Sequence, residues 1–147
     1  MRRGFGIITA IIILVTVATL MTLMMSLSSS SVKTTLDLYL KEQAEILTRS
    51  ATEYALLAIS AHDNTVNCIK NININYPTSV DPTHEINVTI LYIGNAIPNC
   101  TNHILANNID TNESNLTVII DTVVSVNQAN TGISEPIQVH RRTIQKP

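Results

Sequence analysis

The chain has 147 residues, which suits one domain of ordinary size, and a formal net charge of −2. From Asn71 to His140 it contains no lysine or arginine. A nucleic-acid-binding surface needs clustered cations on a folded face, so no nucleic-acid partner is expected. The cations of the final segment, HRRTIQKP, are interpreted as a solvated end.

The amino-terminal segment reads MRRGFGIITAIIILVTVATLMTLMMSL, and residues 5–32 contain no charged side chain. A membrane-spanning helix needs about 20 apolar residues, so this segment is long enough to cross a bilayer. The apolar part of a signal peptide usually has about 7–15 residues, which disfavours a cleaved signal. Arg2 and Arg3 precede the apolar run and favour a cytoplasmic amino terminus, with the bulk of the protein outside the cytoplasm.

Residues 7–62 contain neither proline nor glycine, the two main helix breakers. Over residues 33–62, steps of three and four separate a set of apolar residues, a spacing that predicts one apolar helix face. The set comprises Leu36, Leu40, Ala44, Leu47, Ala51, Tyr54, Ala55 and Ala58. One helix from about Phe5 to about Ala61 is therefore expected, with residues 5–32 as a membrane-spanning half and residues 33–62 as an amphipathic half.

Beyond Asp63 the composition changes, because all 15 asparagines lie in this part of the chain. Apolar and polar residues alternate in CIKNININY and EINVTILYIG, which predicts half-buried strands. LTVIIDTVVSV is predicted to be a longer, more apolar strand, and PIQVHRRTI a further one with Ile137, Val139 and Ile144 as its apolar residues. The segment GNAIPNCTNHILANNIDTNESN is expected to form a long irregular loop. The predicted fold is α+β: one long helix packed on a small antiparallel sheet, which residues 63–147 supply as a head domain.

The two cysteines, Cys68 and Cys100, both fall in the part expected outside the cytoplasm, where the environment is oxidising. An even number of cysteines there predicts a disulfide. Such a bond would close the loop from Cys68 to Cys100, and closing a loop of that length stabilises a domain by about 3–4 kcal/mol in the chain-entropy model. Metal ligation by the cysteines with His62 or His103 is the alternative, but no CxxC or HExxH spacing supports it.

The segment DTNESN places four oxygen-bearing side chains close together, and oxygen ligands suit Ca²⁺. They are Asp110, Asn112, Glu113 and Asn115. Because the segment lacks the glycine and the distal glutamate of an EF-hand loop, a solvated polar loop is the favoured interpretation and calcium the weaker one.

Asn87, Asn99, Asn112 and Asn115 each begin an N-x-S/T triplet, the acceptor pattern of asparagine-linked glycosylation. A chain this rich in asparagine and threonine forms such triplets by chance, so they are given little weight. No nucleophile elbow, phosphate-binding loop or closely spaced pair of carboxylates is found in the sequence, and the chain is not expected to be an enzyme.

The order of these features resembles the type IV pilin and type II secretion pseudopilin family. The resemblance is specific over RRGFGIITAIII, where the family has a basic leader, a glycine and then a phenylalanine. It implies that a prepilin peptidase cleaves between Gly4 and Phe5 and methylates the new amino terminus, which makes residues 1–4 a leader. The implied partners are the inner membrane, the peptidase and other pilin or pseudopilin subunits.

The resemblance further implies a single-pass protein of the bacterial inner membrane that later joins a cell-surface or periplasmic filament. Thr9 stands at the filament-core position where the family usually has glutamate. A subunit at the tip has no subunit ahead of it and can lack that carboxylate, so a minor or tip-associated subunit is expected. Some pseudopilins bind calcium in loops before their last strands, which keeps the DTNESN segment a weak candidate.

The alternative function is that of a single-span, membrane-anchored domain that binds or senses a ligand outside the cytoplasm. A secreted enzyme with a cleaved signal is a third, weaker hypothesis. The mature amino terminus separates them, because only the pilin-like interpretation expects cleavage after Gly4.

Overall fold

The computed structural model describes residues 4–63, 66–95, 97, 100, 102–109 and 116–147. These form two compact units, Met1–Asp37 and Leu38–Pro147. In chain order, the elements are α1 (Gly4–Ala61), β1 (Asn71–Tyr76), β2 (His84–Gly94), β3 (Ile104–Ala106), β4 (Leu116–Val126), α2 (Gln128–Thr131) and β5 (Gln138–Gln145). The predicted single helix is thus confirmed, and its bounds lie within one residue of those expected.

The strands of the described residues form one sheet in the order β1-β2-β4-β5, in which each neighbouring pair is antiparallel. β2 and β4 pair over their full lengths, from His84↔Val126 to Gly94↔Leu116, and form the centre of the sheet. The α+β fold predicted from the sequence is therefore confirmed. Two short elements were not predicted: α2, and β3, which runs parallel to β2 inside the segment expected to be irregular.

The carboxyl-terminal part of α1 packs on one face of the sheet, here called the inner face. Burial alternates along β2 and β4, so that every second side chain points to the inner face. These side chains are buried together with residues of the helix. The helix contributes Leu40, Ala44, Ala51, Ala55 and Ile59. Alanines predominate, so the helix backbone can lie close to the sheet.

The predicted apolar helix face is correct in direction but wrong at two positions. Tyr54 is 54% exposed and Leu36 is 38% exposed, while Thr48 and Thr52 are buried. Successive residues of a helix are rotated by about 100°, so Tyr54 points well away from its buried neighbour Ala55. The buried threonines escaped detection because an apolar pattern search treats them as polar.

Polar contacts join α1 to the inner face. The hydroxyls of Thr52 and Thr122 lie 3.1 Å apart, and Thr48 and Thr52 each donate to the carbonyl four residues earlier. The buried His84 ring donates from Nε2 to the Leu40 carbonyl, 3.3 Å away, and its Nδ1 lies 2.9 Å from the Thr83 hydroxyl. Thr48, Thr52, Thr122 and His84 therefore each have a hydrogen-bond partner, which offsets the cost of burying them. The Thr143 hydroxyl in β5 is buried without one.

Candidate functional site

The amino-terminal part of α1, residues 6–27, is uncharged and presents a predominantly apolar surface. Every described side chain of residues 6–36 is exposed in the isolated chain, among them Ile8, Leu14 and Met25. Among the described residues, α1 is the one helix long and apolar enough to cross a membrane. An exposed apolar surface of this size requires lipid or protein around it.

The threonines of this segment are compatible with an apolar environment. Thr9 donates its hydroxyl to the Gly6 carbonyl at 3.0 Å, and Thr16, Thr19 and Thr22 make the same contact with the carbonyl three residues earlier, at 2.8–2.9 Å. A hydroxyl that donates its proton to a backbone carbonyl of its own helix does not require a water molecule as acceptor. The four threonines before Met24 thus each have a hydrogen-bond partner within the helix.

The junction expected to be cleaved lies at the start of α1. The helix begins at Gly4, and residues 1–3 lie outside the described residues. Gly6, the second glycine of the segment, has open space where a Cβ would be placed. A substitution at Gly6 therefore meets no steric obstacle in the isolated chain, which makes it a suitable control for Gly4.

The second unit carries a stripe of exposed apolar side chains on α1, turned away from the sheet. Tyr39, Ile46, Tyr54 and Leu57 are each more than half exposed. Their spacings of about seven, eight and three residues bring them close to one line along a helix. We call this set the outer stripe, and its position suits packing against another helix.

Two grooves of the second unit run beside the same helix. One, of about 330 Å³, is lined by Tyr39, Glu42, Gln43, Ile46, Leu47 and Tyr76. The other, of about 370 Å³, is lined by Arg49, Thr52, Glu53, Leu56, Arg141 and Gln145. The first groove adds aromatic surface to the outer stripe, whereas the second presents two guanidinium groups and a carboxylate.

Cys68 and Cys100 form a disulfide, with their Cα atoms 5.6 Å apart, as the sequence predicts. It joins the segment that follows α1 to the segment between β2 and β3, and Cys100 is fully buried. The Tyr92 hydroxyl donates to the Ile69 carbonyl at 2.8 Å beside it, and burial raises the pKa of Tyr92 although this hydrogen bond lowers it. The bridge thus belongs to a packed region of the head.

The structure does not support the metal alternative at these cysteines. Both sulfurs are used in the disulfide, the His103 ring contacts the Ile90 carbonyl at 2.8 Å, and His62 contacts the Asn67 side chain. No group of three histidine, cysteine or acidic residues that could hold a metal is found within the described ranges. The calcium candidates Asp110, Asn112, Glu113 and Asn115 lie outside those ranges.

A charged network lies on the other face of the sheet, here called the outer face. Asp121 in β4 is hydrogen-bonded by His140 and by Arg142, both in β5. Burial raises the pKa of Asp121, but the hydrogen bonds and charges of Arg142 and His140 outweigh it and hold the pKa below its usual value. The arginines expected in a solvated end are exposed, yet they lie within β5.

The network should contribute a small, pH-dependent part of the stability. Because the pKa of Asp121 is lower in the folded state than in the unfolded state, its ionised carboxylate stabilises the head at pH values above the unfolded-state pKa. This contribution is lost as the pH falls through the folded-state pKa. Asp121→Asn is expected to lower the free energy of unfolding by less than about 1 kcal/mol at pH 7, since both cationic side chains are largely exposed. Urea titrations of the full chain in detergent at pH 7 and pH 3 should show a smaller difference at the lower pH; an equal difference at both would contradict the assignment.

Sequence reasoning missed this network and the helix contact of His84. The signal for the network was available, because Asp121 is the one charged residue within LTVIIDTVVSV and the cations follow in the next predicted strand. The hydrogen bond of His84 joins it to Leu40, 44 positions earlier, and no local sequence pattern predicts a contact over that separation.

Comparisons with known proteins return no match: no family model, no curated protein and no solved structure is similar to this chain.

Proposed function

We propose that this chain is a structural subunit of a type IV pilus or a type II secretion pseudopilus, processed by a prepilin peptidase after Gly4. The observation that carries the proposal is the character of α1. It is continuous from Gly4 to Ala61, apolar and exposed over its first part, and packed on a small sheet by its last part. It follows directly on the Arg-Arg-Gly-Phe junction.

An apolar helix of this kind can be stable both in the membrane and in the core of a filament. An uncharged helix with all its backbone groups hydrogen-bonded is stable as a single span in lipid. Removed from the bilayer, the same surface can be covered by the equivalent helices of other subunits. The segment then serves as the anchor of the stored subunit and as the core of the assembled filament.

Features of the second unit support contacts between subunits. The outer stripe of Tyr39, Ile46, Tyr54 and Leu57 exposes apolar area on the helix side that its own sheet leaves uncovered. Aromatic residues on such a surface are characteristic of protein interfaces. In a filament a neighbouring subunit would cover this stripe, which is how it supports the proposal.

Thr9 favours a minor or tip-associated role within the filament. In the resembling family, the glutamate at this position is thought to pair with the amino terminus of a neighbouring subunit, and a buried charge without a partner costs several kcal/mol, to an order of magnitude. Thr9 has no carboxylate, and its hydroxyl proton is given to the Gly6 carbonyl. A subunit at the tip has no subunit ahead of it whose amino terminus needs neutralising.

The stoichiometry of sheared, purified filaments tests this proposal. We expect the chain to co-purify with filaments as a minor component, and a Gly4→Leu variant, which the peptidase should not cleave, to be absent from them. If it were the most abundant band and labelled the whole shaft, the tip role would be wrong while the filament role survived. Its absence from every filament preparation, with the protein retained in the membrane, would support the anchored-domain alternative.

A further inference from the structure

Three of the four N-x-S/T triplets share a feature that the abundance of asparagine and threonine does not explain. In three of them an acidic residue stands two positions before the asparagine: Glu85 before Asn87, Asp110 before Asn112 and Glu113 before Asn115. With 11 acidic residues in 147, about one triplet in thirteen would have a carboxylate there by chance. An abundance of asparagine and threonine accounts for the triplets but not for these carboxylates. The fourth triplet, at Asn99, has Ile97 at that position.

Of the three asparagines preceded by an acidic residue, Asn87 is the one that lies within the described residues. It is in the middle of β2, where Ile86 and Val88 on either side are 4% and 1% exposed on the inner face, whereas Asn87 is exposed on the outer face. Side chains alternate along a strand with a period of two, which equals the spacing of the motif. The Glu85 carboxylate, the Asn87 amide and the Thr89 hydroxyl consequently belong to one face.

The surroundings of Asn87 suit a bulky polar substituent. Its cross-strand partners are Asn73 in β1 and Val123 in β4, and Asn71 and Asn75 lie on the same face of β1. The three β1 asparagines are exposed. A sugar linked to Asn87 would extend over a polar surface and displace none of the buried residues.

The pairing of β2 fixes when such a modification takes place. Both sides of the strand at Asn87 are occupied, by β1 and by β4. A transferase that binds several residues of extended chain needs those backbone groups free, so it acts before the sheet closes. Export of an unfolded chain across the membrane, which the proposed function implies, would provide that interval.

From this pattern and placement we infer that Asn87 is the acceptor of an asparagine-linked glycan, added outside the cytoplasm as the head emerges, with Glu85 as a recognition residue. The inference rests on the proposed external location of the head. The donor is an oligosaccharide joined to a lipid through a pyrophosphate. The Asn87 amide nitrogen forms a bond to the anomeric carbon, the bond from that carbon to the pyrophosphate oxygen breaks, the lipid pyrophosphate leaves and the amide proton passes to a base of the transferase.

Peptide mass spectrometry of the full chain, purified from the cells that make it, tests the inference. After reduction, cleavage before Asp81 and after Tyr92 releases residues 81–92, which contain Asn87 and no other triplet. We expect this fragment to carry a mass increment with sugar fragment ions, and the Asn99 triplet to be unmodified. Asn87→Gln should remove the increment completely.

Two matched pairs of variants test the recognition residues. Glu85→Gln should lower the occupancy of Asn87 about tenfold or more, the size expected for one lost charge-assisted hydrogen bond to the transferase, while Glu85→Asp keeps it. Thr89→Val should abolish the modification, and Thr89→Ser should retain it. Equal occupancy in Glu85→Gln and Glu85→Asp would overturn the role of the carboxylate.

The state of the cysteines separates the two proposals. A chain with an intact Cys68–Cys100 disulfide and an unmodified 81–92 fragment reached the outside without a glycan, which overturns this inference alone. Reduced cysteines together with an unmodified fragment place the head in the cytoplasm and overturn the proposed function as well.

Discussion

Replacing Gly4 with leucine is expected to stop maturation, so that the full-length precursor is the one detectable form and stays in the inner membrane. Glycine leaves the backbone at the proposed cleavage point accessible and free to leave the helical conformation. Leucine is a strong helix former, and its side chain lies directly beside the bond between Gly4 and Phe5. The measurement is the intact mass of the membrane-extracted protein from cells that contain the peptidase.

Gly6→Leu provides the matched control for that experiment. It introduces the same side chain two residues further along the same helix, where a Cβ meets nothing within 4 Å. The Gly6 variant should mature and the Gly4 variant should not. Normal maturation of both would show that the proposed cleavage site is wrong, and failure of both would show that the effect is not specific to the junction.

Removing the disulfide is expected to destabilise the head strongly. Cys68→Ser should lower its free energy of unfolding by about 3–4 kcal/mol, because the bridge closes a loop of some 33 residues in the unfolded chain. Roughly 4 °C or more of melting temperature is lost per kcal/mol in a domain near 100 residues, so a fall of more than about 10 °C is expected. Cys68 is the better position to change, because Cys100 is fully buried and serine there would add a buried hydroxyl.

Reducing agent supplies the control for the disulfide. Thermal unfolding of the full chain in detergent should shift to lower temperature when wild-type protein is reduced, and should not shift further when the Cys68 variant is reduced. Thiol labelling of the unreduced, denatured wild type should find no reactive cysteine. Full labelling of both cysteines, or a melting temperature indifferent to reduction, would contradict a stabilising bridge.

The features that could be predicted from the sequence are those with a local, repeated signal. Residues 7–32 are uncharged and contain no helix breaker, and they lie in the first part of α1. The apolar stretch LTVIIDTVVSV coincides with β4, Leu116–Val126. The paired cysteines followed from their even number and expected compartment. In each case one physical rule acts along a continuous stretch of chain.

The features that were missed depend on residues distant in sequence. β3 has three residues and is defined by its parallel pairing with β2, so its own sequence carries too little pattern to identify it. Tyr54 fits an apolar helix face by spacing, but the direction of the sheet decides that it is exposed. The partners of Asp121 follow from the register of β4 against β5, which alternation alone does not determine.

The mature amino terminus tests the central claim most directly. Intact-mass measurement and amino-terminal peptide sequencing of the full chain from its native membrane should find Phe5 as the first residue, carrying one methyl group on its amino nitrogen, with Met1, Arg2, Arg3 and Gly4 absent. An intact Met1, or a first residue within Ser28–Ser31, would contradict processing by a prepilin peptidase and with it the assignment to a filament.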